Sequence, residues 1–268
     1  MLSFLKSKPL IEQSSADWIF EAYEWAITHF DSQEFFSRSR LIQPTNEFFA
    51  GSVNSVHEKA ETVYKHTLNY AGLVHWPFQL QAPEQYQYKP SQQLSLNADD
   101  NSAVVARVSS GSTLPVIVSD EPLFMTYNPQ QTLKPEDLSS SFAHIMAQYL
   151  VIQSQSFPPG GPDYFAEGTE VLAIFMGFGV MFANSAYTFR GGCGSCYNGQ
   201  SNRQATLSES EVLFSMALYC TLKQIPTAEA TRYLKKHLKS GYKRALKQIN
   251  SQTGKVEALL ALRHAVSD

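Results

Sequence analysis

The chain has 268 residues, 43% of them hydrophobic, with 21 Lys and Arg against 24 Asp and Glu for a formal net charge of −3. That length can bury a substantial core as one compact domain, and the near-balanced charge offers no extended basic field, which excludes nucleic acid as an expected partner. Three cysteines, Cys193, Cys196 and Cys220, are too few for a disulfide framework and suit a reducing compartment. The first ten residues, Met1 to Leu10, hold too short an apolar run for a secretory signal, so the expected location is the cytoplasm.

Within a single unit spanning 1–268, residues 1–80 read as a helical N-terminal part. Asp17 to Phe30 spaces Trp18, Tyr23, Trp25 and Ile27 as a helix with a broad aromatic face, and Val56 to Tyr70 reads as a second helix ending at Gly72. Between 81 and 130 the pattern changes to short runs broken by Asn, Asp, Gly and Pro. Tyr86–Tyr88, Gln93–Leu96, Ala103–Val108 and Leu114–Val118 read as strands of a small antiparallel sheet.

From 131 to 268 the helical pattern returns. Pro135, Glu136 and Asp137 suit a helix start, so the run through His144 to Gln153 reads as a helix, broken by Ser156 to Gly161. Val171 to Phe189 carries no charge over 19 residues, about the length of a membrane span. Two glycines, Asn184, Ser185 and the preceding Glu167 and Glu170 favour a buried core helix instead, with Gly177 and Gly179 allowing close helix packing. Leu207–Leu222, Thr227–Ile249 and Val256–Val266 complete the helices. The basic stretch from Lys235 to Lys247 reads as an amphipathic helix with a solvated face.

The chemistry-bearing helix is that of His144. A zincin helix reads His-Glu-x-x-His, in which two imidazoles one turn apart hold the metal and the Glu is the general base. Here Ile145 stands at the base position and Gln148 at the second ligand position. An alkyl side chain takes no proton from water, and a neutral carboxamide is a poor zinc ligand. On one helix face His144 and Gln148 point the same way, and Glu167 and Glu170 follow where a third ligand would stand.

Several pieces, taken in order, resemble a group of uncharacterised bacterial proteins with a gluzincin-like zinc-peptidase domain. They are Trp25 in an aromatic helix, Pro44-Thr45 before Phe48-Phe49, Tyr70-Ala71-Gly72 near Trp76-Pro77, the His144 helix, Gly177-Phe178-Gly179 with Ala183-Asn184, and Leu207-Ser208-Glu209 leading into Ala217-Leu218. The resemblance implies an α+β, mostly helical fold whose small sheet packs against a zincin-like helical core. It also implies a Glu and, four residues later, an Asp on the helix after the motif. Counting back from Gly177 puts Glu170 at the Asp position and Ala166 at the Glu position, with Glu167 beside it. The departures fall together in one site, so the expectation is a pseudoenzyme with no catalytic residue. Its ligand set, vestigial or altered, would be His144, Gln148, Glu167 and Glu170, with zinc the candidate metal, and its role would be to bind a protein or peptide.

Two other readings fit the same residues. One is a metal-dependent hydrolase with altered ligands at His144, Gln148 and Glu167 or Glu170. The other is a structural or regulatory protein whose working part is the loop Arg190 to Gly199, where Cys193 and Cys196 form a Cys-x-x-Cys that could chelate zinc, with Cys220 and His237 as downstream partners, or act as a redox dithiol. No nucleophile elbow, Walker A or dinucleotide fingerprint occurs.

Overall fold

The computed structural model describes residues 8–30, 32–51, 53–87, 107, 122–186 and 205–263, and these form a mostly helical α+β fold. Helix α1 (Gln13–His29) turns Ile19, Phe20, Tyr23 and Ile27 inward. Tyr23 Oη donates to Ser215 O at 2.7 Å, fixing α1 to a helix near the other end of the sequence. After the short α2 (Ser32–Ser37), α3 (Val56–Ala71) begins where Ser55 Oγ accepts from Glu58 N at 3.1 Å. It ends at Gly72, whose φ of 73° is the left-handed conformation a helix C-cap uses.

Strands β1 (Phe78–Leu80) and β2 (Leu123–Met125) bracket the segment in which strands were expected, and they pair in parallel, Phe78 opposite Leu123 and Leu80 opposite Met125. The expected antiparallel sheet is thereby corrected. Antiparallel neighbours need only a tight turn, whereas parallel ones need a crossover, and the long stretch 81–122 between β1 and β2 provides it. Tyr86 and Gln87, expected in a strand, instead follow a turn closed by Gln85 N donating to Ala82 O at 2.9 Å. The expected strands Gln93–Leu96 and Leu114–Val118, and Ala103–Val108 apart from Arg107, lie outside the described residues.

The sheet rests on α4 (Pro135–Ser154), the helix of His144. Phe78 meets Tyr149 edge-on at 5.4 Å, and Tyr149 Oη donates to Phe124 O at 3.3 Å. The apolar segment that follows is not one straight helix. It runs as α5 (Phe165–Ala173), a π-helical turn (Ile174–Phe178) and α6 (Gly179–Ser185), with the break at Gly177, φ 105° and ψ 0°. There the extended stretch around Arg40 and Ile42 crosses the helix. Ile42 N donates to Gly177 O at 2.9 Å, and a Cβ on residue 177 would lie 2.2 Å from Arg40 O. Gly179 serves helix packing as expected, since a Cβ there would meet Met216 at 2.8 Å. Among the described residues Gly161–Ser185 alone is long and apolar enough to cross a membrane, but 83% of its most apolar stretch is buried within the protein, as in a core helix.

Helix α7 (Glu209–Leu222) starts with a reciprocal capping box, Ser208 Oγ accepting from Glu211 N and the Glu211 carboxylate accepting from Ser208 N. The helix expected over Thr227–Ile249 is two, α8 (Thr227–Ala230) and α9 (Leu238–Asn250). Between them the buried Asn184 takes backbone groups a helix would have used: its Nδ2 donates to Tyr233 O at 2.9 Å and its Oδ1 accepts from Lys235 N at 3.0 Å. The last helix, α10, covers Thr253–Ala261. The buried apolar cluster draws on residues from Ile11 to Leu259. Gln248 on α9 clasps the N-terminal end, accepting from Leu10 N at 2.9 Å and donating to Ile11 O at 3.0 Å.

Candidate functional site

His144 lies in the middle of α4, only 1% exposed, between α5 and α6. Its Nε2 is 2.9 Å from Thr169 Oγ1 on α5, and its ring meets Phe182 edge-on at 6.3 Å. The Thr169 hydroxyl donates its proton to Ala166 O at 3.1 Å. With its hydrogen on that carbonyl the hydroxyl accepts from the imidazole, and Nε2 then carries the ring hydrogen, an assignment made from hydrogen-bond geometry. In that tautomer Nε2 has no lone pair to offer a metal, while Nδ1 keeps one. Thr169 is a partner the sequence did not single out; its position one turn beyond Ala166, facing His144 across the helix pair, is the only signal.

Glu170 is fully buried and faces the start of α7. Its Oε2 accepts from Leu207 N at 2.8 Å and from both Thr206 N and Thr206 Oγ1 at 3.2 Å. The carboxylate thus fastens the chain leading into the capping box. Gln148 and Glu167 are partly exposed, and Ile145 packs at the margin of the core.

A tetrahedral zinc site needs deprotonated donors with lone pairs converging on one point. The donor set does not fit that need: the engagement of His144 Nε2 with Thr169, the bonds that engage Glu170, and the neutral Gln148 carboxamide all work against it. Among the described residues no group of three or more His, Cys, Asp or Glu side chains is placed to hold a metal ion. Cys193 and Cys196 lie outside the described residues. Of their suggested partners, Cys220 is buried on α7, where burial pushes its thiol up to about 12, and His237 lies 3.7 Å from Glu209 at the surface.

Open space occurs elsewhere. A cleft of about 700 Å³ runs between the 44–53 loop, α3 and the start of α4, and a second of about 460 Å³ lies between the 40–48 stretch and α8; Thr45 and Tyr233 line both. The turn that builds the shared wall is local: Thr45 N donates to Gln43 O at 2.8 Å, and Phe49 N to Thr45 O at 2.9 Å. The opposite wall, Tyr233, is held by Asn184 as described above.

A charged cluster, with Lys223 half-buried and Arg107 buried, lies between α2 and the C-terminal end of α7. Lys223 Nζ donates to Phe35 O at 2.6 Å and Phe36 O at 3.0 Å, and burial lowers its ammonium to about 8. Phe35 stacks on Phe175 at 4.3 Å, and the Arg107 guanidinium, donating to Ser39 Oγ at 3.1 Å, covers the Phe175 ring at 5.2 Å. No family model, curated protein or solved structure matches the chain.

Proposed function

We propose that this chain is a non-catalytic relative of gluzincin-type zinc peptidases, one that keeps a helical frame and serves as a binding or regulatory module for a protein or peptide. The observation that carries the proposal is the commitment of His144 Nε2 to Thr169: the imidazole that would hold a metal acts as a structural donor between α4 and α5. Ile145 in place of a general base removes the means of activating water. Glu170, placed by the resemblance at an acidic position of the next helix, works as a clasp for residues 206–207. The clefts at Thr45 and Tyr233 are lined by none of His144, Ile145, Gln148, Glu167 and Glu170. We place the protein in the cytoplasm, consistent with few cysteines and a buried Cys220 thiol.

The test is peptide turnover by wild type and His144→Ala with zinc supplied, using a quenched-fluorescence peptide mixture. No turnover above background is expected in either protein. Turnover in wild type that vanishes in His144→Ala would return the hydrolase with altered ligands.

A further inference from the structure

We propose that the joined cleft at Thr45 and Tyr233 is a docking groove for a short acidic peptide bound in extended form with an apolar side chain at its centre. This rests on the binding-module proposal above and names the groove and the ligand class. Three independent features point to that occupant. The first is a pair of buried polar atoms without protein partners, one on Thr45, which lines both lobes, and one on Gln43, which lines the smaller lobe. Gln43 is 6% exposed and its Oε1 makes no hydrogen bond, and Thr45 Oγ1, buried at the junction of the two lobes, makes none either. Folded proteins leave few such atoms unpaired, and a cluster of them calls for a ligand or water. An extended peptide presents N–H and C=O groups in alternation along its edge. It can give an N–H to Gln43 and take the Thr45 hydroxyl, which a purely apolar or purely anionic ligand cannot do together.

The second feature is charge. Lys59 and Lys134 line the larger lobe and have no ion-pair partner among the described residues. Its carboxylate, Glu136, already accepts from Asn184 Nδ2 at 2.8 Å. In the smaller lobe Arg40 and Glu47 pair at 3.6 Å, leaving Arg232 beside Glu229. The larger lobe therefore favours carboxylates. The third is an apolar floor. Phe49 and Met181 line the larger lobe, and Leu133 stands 82% exposed at its edge, an exposure that an apolar side chain seated there would relieve.

The experiment is fluorescence anisotropy on the full chain with a fluorescein-labelled peptide of sequence Glu-Asp-Leu-Phe-Leu-Asp-Glu, against its counterpart with every acidic residue replaced by lysine. Saturable binding of the acidic peptide, about tenfold or more tighter than the basic one, is expected. Thr45→Val and Gln43→Leu remove the orphaned atoms without removing any hydrogen bond. Each is expected to weaken binding about fivefold or more while leaving the urea midpoint unchanged or raised. Lys59→Glu with Lys134→Glu, both on the surface, should invert the charge preference. Absence of saturation by either peptide up to about 1 mM would overturn the proposal. So would binding that all these variants leave unchanged, which would place the peptide elsewhere and keep the binding-module proposal without this groove. His144-dependent turnover in the preceding test would fell the binding-module proposal itself.

Discussion

Gly177→Ala tests whether the π-helical turn exists to let the Arg40–Ile42 stretch cross the apolar helix. The new Cβ would lie 2.2 Å from Arg40 O and 3.3 Å from Arg40 C, both backbone atoms that cannot swing aside as a side chain end could. The position also has φ 105°, and positive φ costs an L-residue about 1–2 kcal/mol. Relieving the clash by moving the stretch away strips the 2.9 Å bond from Ile42 N to Gly177 O, and a buried donor left unpaired costs about 1–3 kcal/mol. The expected loss is about 2–5 kcal/mol, a large share of the about 5–15 kcal/mol that holds a domain folded. Urea unfolding followed by circular dichroism measures it, with Gly254→Ala as control. A Cβ at Gly254 meets nothing within 4 Å, and that variant should hold wild-type stability or gain about 0.5 kcal/mol. A Gly177→Ala loss below about 1 kcal/mol would refute the crossing as the reason for the glycine.

Thr169→Val keeps the shape of the side chain but removes the acceptor of the His144 Nε2 proton, and should cost about 1–3 kcal/mol in urea unfolding. Wild-type stability in that variant would mean the imidazole does not depend on Thr169. Glu170→Gln withdraws the charge from three hydrogen bonds at residues 206–207; a loss of about 1–3 kcal/mol is expected, with faster amide exchange at Leu207. Unchanged exchange there would contradict the clasp. Burial lowers the folded-state pKa of Lys223 to about 8 from its ordinary value of 10.5. Its penalty on folding is therefore full below pH 8 and fades towards pH 10.5. Wild type should accordingly gain stability relative to Lys223→Met across that window, and urea midpoints whose difference stays flat with pH would contradict it.

The elements readable from the sequence are those whose causes are local. Ser55 followed by Glu58 and closed by Gly72 marks both ends of α3 within its own sequence, and Pro135-Glu136-Asp137 marks the start of α4. What the sequence hid depends on distant partners. The direction of the sheet follows from where β2 returns after a long connection, and the kink at Gly177 follows from a carbonyl on Arg40. The break between α8 and α9 follows from Asn184, about fifty residues upstream. On the His144 helix, an alkyl side chain at Ile145 and a carboxamide at Gln148 were visible, but the role of Thr169 was not, because a threonine one turn from an alanine carries no chemical signature until the facing helix is known. The cleft was hidden for the same reason: the local turn of Gln43 and Thr45 meets Tyr233 only in three dimensions.

The central claim is that His144 is a structural donor, and the metal content of the purified protein tests it most directly. Elemental mass spectrometry on wild type, His144→Ala and Cys193→Ala is expected to find no zinc whose presence depends on His144. About one zinc per chain that disappears in His144→Ala would contradict the account and restore a metal site on α4. Zinc that survives in His144→Ala and disappears in Cys193→Ala would move metal chemistry to the cysteine loop and leave the role given to His144 intact.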